Sequence, residues 1–177
     1  MPARRSAGCK LGIEAVFNRE IRDKLTQLLA YQRDAPVWLR ILTPWIGNAK
    51  LSDGKTLLEK LRQLINYKYA RVTLIIDKEW MEEEADEEEK EFLRSLEDMG
   101  VRLYSAKQLH AKMTLVINGP NDREKSLIIS SANLTDSGLS NLKEAGIYVL
   151  NDPAELFDKA NSYFTDLLKY SEERDNE

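Results

Sequence analysis

The chain has 177 residues, 42% hydrophobic and 32% charged, with a net charge of −4, a profile suited to one globular domain with a sizeable core. No apolar run approaches the ~18–20 residues needed to span a bilayer, and the basic start, Met1 to Gly8, lacks the apolar stretch of a secretory leader. The single cysteine, Cys9, excludes an intrachain disulfide framework and a multi-cysteine zinc site. The expectation is a cytoplasmic protein without membrane attachment.

The acidic balance is local. Residues 78–91 hold nine acidic residues and two lysines, a net of −7, which leaves +3 over the rest of the chain. A polyanion would be repelled by one patch and tolerated elsewhere, so the overall charge does not exclude nucleic acid.

In chain order, residues 1–12 read as a flexible segment. Ile13, Val16, Phe17, Ile21, Leu25, Leu28 and Leu29 recur at three- and four-residue steps, predicting an amphipathic helix from Ile13 to Tyr31 that Asp34-Ala35-Pro36 ends. A strand follows from Val37 to about Thr43, then a loop from Gly47 to Gly54 and a helix from Lys55 to Tyr67. Val72-Thr73-Leu74-Ile75-Ile76 is the mark of a strand buried on both faces. Residues 78–99 read as one acidic helix that meets the core through Phe92, Leu93 and Leu96 and stops at Gly100. Val101 to Tyr104 is a short strand.

Two strands come next, 110–117 and 126–130, joined by the polar turn 118–125. Residues 131–143 form a Ser-, Asn- and Gly-rich loop, Glu144 to Leu150 a strand, and Pro153 to Tyr170 a closing helix. The tail from Ser171 reads as a charged end that frays. This order implies an α/β fold, with residues 13–170 as a single domain and 171–177 as a flexible tail. There is no internal repeat.

The chemistry concentrates in two short stretches. His110 is the only histidine in the chain. In a strand, residues two apart share a face, so His110 and Lys112 are expected to point into the same space. Ser131 and Asn133 repeat that spacing at the end of the next strand. A hairpin would gather an imidazole, an ammonium, a hydroxyl and a carboxamide into a phosphate-sized pocket. Each has a plainer reading: a lone histidine at a strand start is commonly structural, and Ser131 to Thr135 could be no more than a helix cap and turn. Trp38, Trp45 and Trp80 are expected in the core or at an interface, with Trp45 placed to line a substrate groove.

Taken together, His110-Ala111-Lys112 and Ser130-Ser131-Ala132-Asn133-Leu134-Thr135 resemble the phospholipase D superfamily, whose signature is H-x-K-x4-D followed by a G/S-S-x-N element. Thr43-Pro44-Trp45-Ile46 and Glu144-Ala145-Gly146-Ile147-Tyr148-Val149 are similar to weaker family features. The resemblance spans roughly residues 36–168. It departs at Ile117, where the family carries its aspartate, and in the 23 positions from His110 to Asn133, longer than the family's usual spacing. Asp122 in the turn is a candidate substitute for that aspartate.

The resemblance implies a mixed β-sheet flanked by helices on both faces, and phosphodiester cleavage through a phosphohistidine with no cofactor and no metal. An imidazole with pKa near ~6.5 presents a neutral nitrogen nucleophile at physiological pH and splits one displacement into two easier steps. Lys112, Ser131 and Asn133 would be the fixed donors for phosphoryl oxygens gaining charge in the transition state. Glu144 is the candidate for orienting the imidazole through its other N–H, with Ser137 and Asn141 as neighbours.

In-line displacement also needs a general acid on the opposite side of the phosphorus. With one histidine per chain, that acid must come from another copy, so a homodimer with its two-fold axis at the site is expected. The expected partner is nucleic acid, DNA ahead of RNA, and the expected activity is that of an endonuclease. Competing readings are a phospholipase or phosphatidyl transferase, and a degenerate module that binds DNA or a partner chain without turnover.

Overall fold

A computed structural model of the chain describes residues 12–30, 37–68, 70–118, 124–140, 143–151 and 155–174. The expectations placed on residues 1–10, on Asp34 to Pro36, on Asp122 and on Asn141 lie outside the described residues.

The elements run β1 (Gly12–Phe17), α1 (Arg19–Leu28), β2 (Val37–Leu42), α2 (Leu57–Lys68), β3 (Arg71–Asp77), a π-helical turn Trp80–Glu84, α3 (Glu87–Asp98), β4 (Arg102–Ala106), β5 (Met113–Asn118), β6 (Glu124–Ser130), α4 (Asp136–Ser140), β7 (Ala145–Leu150), α5 (Leu156–Leu168) and β8 (Glu172–Glu173). The eight strands form one sheet in the order β1-β7-β6-β5-β2-β3-β4-β8. β2, β3 and β4 run parallel, and every other neighbouring pair is antiparallel. The mixed sheet expected for this chain is the one observed.

Strand alternation divides the core. One face carries Val16, Leu39, Ile41, Leu74, Ile76, Val116 and Ile128, packed against Ile21 and Leu25 of α1, Leu57 and Leu61 of α2, and Leu93 and Leu96 of α3. The other carries Leu42, Ile75, Leu115, Leu127 and Val149 beneath Phe157, Ala160 and Phe164 of α5. Each fully buried large apolar side chain stabilises by about 1.5–3 kcal/mol, so the sheet is a rigid platform for the loops at its ends.

Four expectations are corrected, besides the short helix α4 (Asp136–Ser140) that stands within the loop expected over 131–143. Residues 13–17, read as the start of a helix, and Gly12, read as the end of the flexible segment, form β1, paired with β7 from Gly12↔Leu150 to Phe17↔Ala145. Asn18, at φ 54°, then turns the chain into α1. Ile13, Val16 and Phe17 satisfy a helical period as well as an alternating one, and a partner more than a hundred residues away decided between them.

The acidic helix is two pieces. Asp86 accepts from Glu89 N–H at 2.8 Å and Glu89 accepts from Asp86 N–H at 3.0 Å, a capping box that starts α3 afresh. Its end matches expectation: Gly100 sits at φ 85°, and Val101 N–H donates to Leu96 O at 3.1 Å.

β5 begins at Met113, so His110 and Lys112 lie in the lead-in to the strand and not on its face. Glu172 and Glu173, expected to fray, pair with Ser105 and Tyr104 of β4, and Lys78 bonds Glu172.

Candidate active site

The two motif halves meet at the end of the sheet where β2 and β6 finish and β5 and β7 begin. Ser130 N–H donates to Lys112 O at 3.2 Å, which fixes the His-Lys lead-in directly against the Ser-Asn turn. The floor comes from the chain after β2. Thr43, 1% exposed, donates through Oγ1 to Trp45 O at 2.9 Å, and the same Thr43 Oγ1 accepts from Leu134 N–H at 3.4 Å. Ile46 bridges to Leu134, Gly47 N–H donates to Leu134 O at 2.9 Å, and Lys50 N–H donates to Asp136 Oδ1 at 2.7 Å. The Thr-Pro-Trp-Ile segment is therefore the mould in which the Ser-Asn turn is cast.

His110 is exposed, at the rim of this end of the sheet. Its lead-in is held by a residue the sequence reasoning missed. Asp77, the last residue of β3, accepts from Leu109 N–H at 2.8 Å through Oδ2 and from Trp80 N–H at 3.0 Å through Oδ1. The available signal was its place at the carboxyl end of a parallel strand, where open α/β sheets build their sites.

Lys112 is half-buried and donates from Nζ to His110 O at 3.0 Å. It borders a narrow crevice with Ile21, Leu25, Thr43, Ser130 and Leu134. Burial pushes its ammonium below the usual lysine value, and the charge of Glu144 works in the opposite direction. Glu144 accepts from Ser131 Oγ, and Ser131 is pinned a second time by Ala145 N–H, which donates to its Oγ at 3.1 Å.

Asn133 is placed by α4: a Cβ on Gly138 would stand 2.4 Å from Asn133 O, so only glycine allows this approach. Asn133 Oδ1 is buried and has no hydrogen-bond partner among the described residues, an arrangement native proteins rarely keep without a use. Ser137 is exposed and shares a 3.1 Å hydrogen bond with Thr135.

Lys112, Ser130, Ser131, Asn133 and Glu144 are thus gathered by direct contacts or by neighbouring turns, with His110 at the rim. Ile117 is not among them. It is 8% exposed and packs in the cluster under α5, on the apolar interior of β5. Trp45 is exposed beside the site, whereas Trp80 is buried. Among the described residues no group of three or more His, Cys, Asp or Glu is placed to hold a metal ion. No helix among them is long and apolar enough to cross a membrane.

The chain was compared with known proteins. A family model described as cardiolipin synthase, PLD-like domain, matches residues 34–168. The structure of Nuc from Salmonella typhimurium, a phospholipase D family member, is similar with a TM-score of 0.67 at 14% identity, covering 94% of this chain and 100% of that one. NucT from Helicobacter pylori gives a TM-score of 0.62 at 16% identity, covering 93% and 100%. TrmBL2, an archaeal chromatin protein described as showing a novel mode of DNA binding, gives 0.57 at 9% identity, with 96% of this chain on 56% of that one. At these identities the likeness to the solved structures is one of fold. No curated protein sequence matches the chain.

Proposed function

The chain belongs to the phospholipase D superfamily, and on that premise we propose that it is a nucleic-acid phosphodiesterase that works through a phosphohistidine and without a metal. The observation that carries this reading is the 3.2 Å hydrogen bond from Ser130 N–H to Lys112 O, which seats the His-Lys pair on the Ser-Asn turn. The similar structures of Nuc and NucT support the fold on which the reading rests.

In the proposed reaction an imidazole nitrogen of His110 attacks phosphorus, and the bond from phosphorus to the leaving oxygen breaks. The leaving oxygen takes a proton from the imidazolium of His110 in a second copy. Water then attacks the phosphorus of the phosphohistidine, the bond from phosphorus to the His110 nitrogen breaks, and the water gives a proton back to that second imidazole, which restores both histidines. Lys112 and the amide of Asn133 stabilise the charge that develops on the phosphoryl oxygens, where donors fixed in advance act without reorganisation. Ser131 donates its one hydroxyl proton to Glu144 in this structure, so it becomes the third donor on turning that proton from Glu144 to the phosphoryl group. Glu144 is assigned to accept the second N–H of His110. Asn133 Oδ1, buried and without a partner among the described residues, marks a place where substrate or water completes the site.

The two-copy arrangement is drawn from the single histidine. Phe17 and Ile129, 54% and 37% exposed on the sheet beside the site, supply apolar surface suited to a second copy. A lipid reading, phosphatidyl transfer, draws on the description of the matching family model, and a binding-only reading draws on Ile117.

Incubation with single- and double-stranded DNA and RNA in EDTA separates the three. Cleavage that vanishes in His110→Ala is expected. Nucleic-acid binding without turnover would leave a binding module, and turnover confined to lipid vesicles would move the site to lipids.

A further inference from the structure

At the other end of the central strands, far from His110, the sheet carries a second concave surface of about 450 Å³ lined by Trp38, Arg40, Arg71, Thr73 and Arg102, with Ala70 and Gly100 at its margin. The pairings Trp38↔Arg71, Arg40↔Thr73 and Thr73↔Arg102 put these side chains on one face. Diagonal neighbours on such a face stand roughly 7–8 Å apart, a spacing that lets each guanidinium take its own anionic group. Among the described residues no carboxylate lines the groove, and none of the three arginines forms an ion pair there.

Arg40 is aimed by neutral groups of α5: its guanidinium donates to Asn161 Oδ1 at 2.7 Å and to Thr165 Oγ1 at 2.9 Å, and stands 5.4 Å from the Phe164 ring centroid. Burial pushes its pKa below the ordinary arginine value. Trp38 is 42% exposed at the groove wall. In a chain of net charge −4, three arginines with no ion pair among the described residues, beside an exposed indole, are out of keeping with a merely solvated surface. The acidic run begins beyond Asp77, at the far end of β3, roughly 20 Å of strand from Arg71.

We propose that this groove is a second binding site, separate from the one at His110, that holds single-stranded nucleic acid with phosphates on Arg71 and Arg102 over Arg40 and a base stacked on Trp38. Guanidinium forks match phosphate oxygens in pairs, and aromatic stacking accepts any base. The distance from Trp38 to Thr43, roughly 17 Å of β2, would let one strand engage the groove while a different segment reaches the site at the strand ends.

The test uses the full chain carrying His110→Ala, so that binding is measured without cleavage, and a fluorescent oligothymidylate as probe. The double variant Arg71→Ala/Arg102→Ala is expected to weaken binding on the order of ten-fold and to reduce the slope of log affinity against log salt by about 1.4, two phosphate contacts at ~0.7 each. Arg71→Lys/Arg102→Lys should recover most of the loss. Trp38→Ala should weaken binding at least about five-fold and remove quenching of tryptophan emission by the oligonucleotide. Both arginines of the double variant are exposed, and a circular dichroism melt checks that each variant folds.

Unchanged affinity in the double variant overturns the proposal. So does a polyglutamate peptide that binds as tightly as the oligonucleotide, because the groove would then take acidic protein. Hydrolysis of bis(p-nitrophenyl) phosphate by chains with His110 intact should be equal with and without the arginine changes. Absence of hydrolysis in both would count against the catalytic reading and leave the oligonucleotide result to decide the groove.

Discussion

Asp77 Oδ2 accepts from the backbone N–H of Leu109 at 2.8 Å, so the last residue of β3 holds the residue immediately before His110. Its other oxygen accepts from Trp80 N–H at 3.0 Å, starting the π-helical turn. One carboxylate thus sets both the exit of a core strand and the approach to the only imidazole. Asp77→Ala should cost about 1–2 kcal/mol in urea unfolding, the usual range for losing such bonds. Because small misplacements near reacting atoms are costly, kcat should fall about ten-fold or more while KM moves little. A rise in KM with kcat unchanged would mean that Asp77 acts on substrate binding instead of on the position of His110.

Lys112 offers a separation of function from stability. Its folded pKa lies below the ordinary value of 10.5, so the folded state holds its proton less tightly than the unfolded state. The sign follows: the charge opposes folding below the folded pKa, and this opposition is relieved as pH rises toward 10.5. Lys112→Met should therefore slow turnover at least ~10²-fold and leave Tm at neutral pH equal to wild type or higher. In Glu144→Gln the charge that supports the ammonium is gone, so the alkaline limb of the pH–rate profile should move to lower pH. A limb that stays in place removes Lys112 as its source.

Gly138 and Gly47 make a matched pair. A Cβ at Gly138 would meet Asn133 O at 2.4 Å, whereas one at Gly47 would meet nothing within 4 Å. Gly138→Ala should push the Asn133 backbone away, lowering stability by about 1–3 kcal/mol and activity with it. Gly47→Ala should be close to neutral in both. A Gly138→Ala enzyme with full activity would show that Asn133 is not held where the reaction needs it.

The proposed two-copy site is tested by poisoning. Wild-type chain refolded with a tenfold excess of His110→Ala should lose nearly all activity, because most of its sites would then lack one imidazole. Activity that simply tracks the amount of wild-type chain would fit a site complete in one chain.

Ile117 occupies the family's aspartate position and lies opposite Trp38 on β2 and Lys125 on β6. Restoring the acid would bury a charge in the cluster under α5. Ile117→Asp should destabilise by about 2–4 kcal/mol in urea, with no gain in turnover. A more active variant would reveal a carboxylate role that this chain has lost.

Which parts were legible in the sequence follows from the range of the interactions. β2, β3, α2, β7 and α5 are specified by local patterns, and Gly100 and the Asp86-x-x-Glu89 box mark the two ends of α3 in plain residues. The broken acidic segment was readable from that box, which the run of glutamates masked. Ile13 to Phe17 was not readable, because its pairing residues lie in β7. At the site, the His-Lys and Ser-Asn spacing identifies the residue types but not their placement. His110 leaves the strand because Gln108 sits at φ 54° and Asp77 captures Leu109, both long-range or conformational facts. Asp77 carries no motif, and its role, like the hydrogen bonds of Thr43, is recognised only once β2 and β3 lie side by side.

The order of the sheet has a kinetic consequence. β1 sits at one edge against β7, with Ala15 opposite Ile147, so β1 is made early in synthesis and waits for nearly the whole domain before it has a partner. Contacts of such sequence separation are slow to form because loop closure precedes any gain from them. The β5-β6 hairpin has no such delay. The centre of the sheet should thus form first and β1 last, which makes the β1 edge the place where unfinished chains are most exposed to one another.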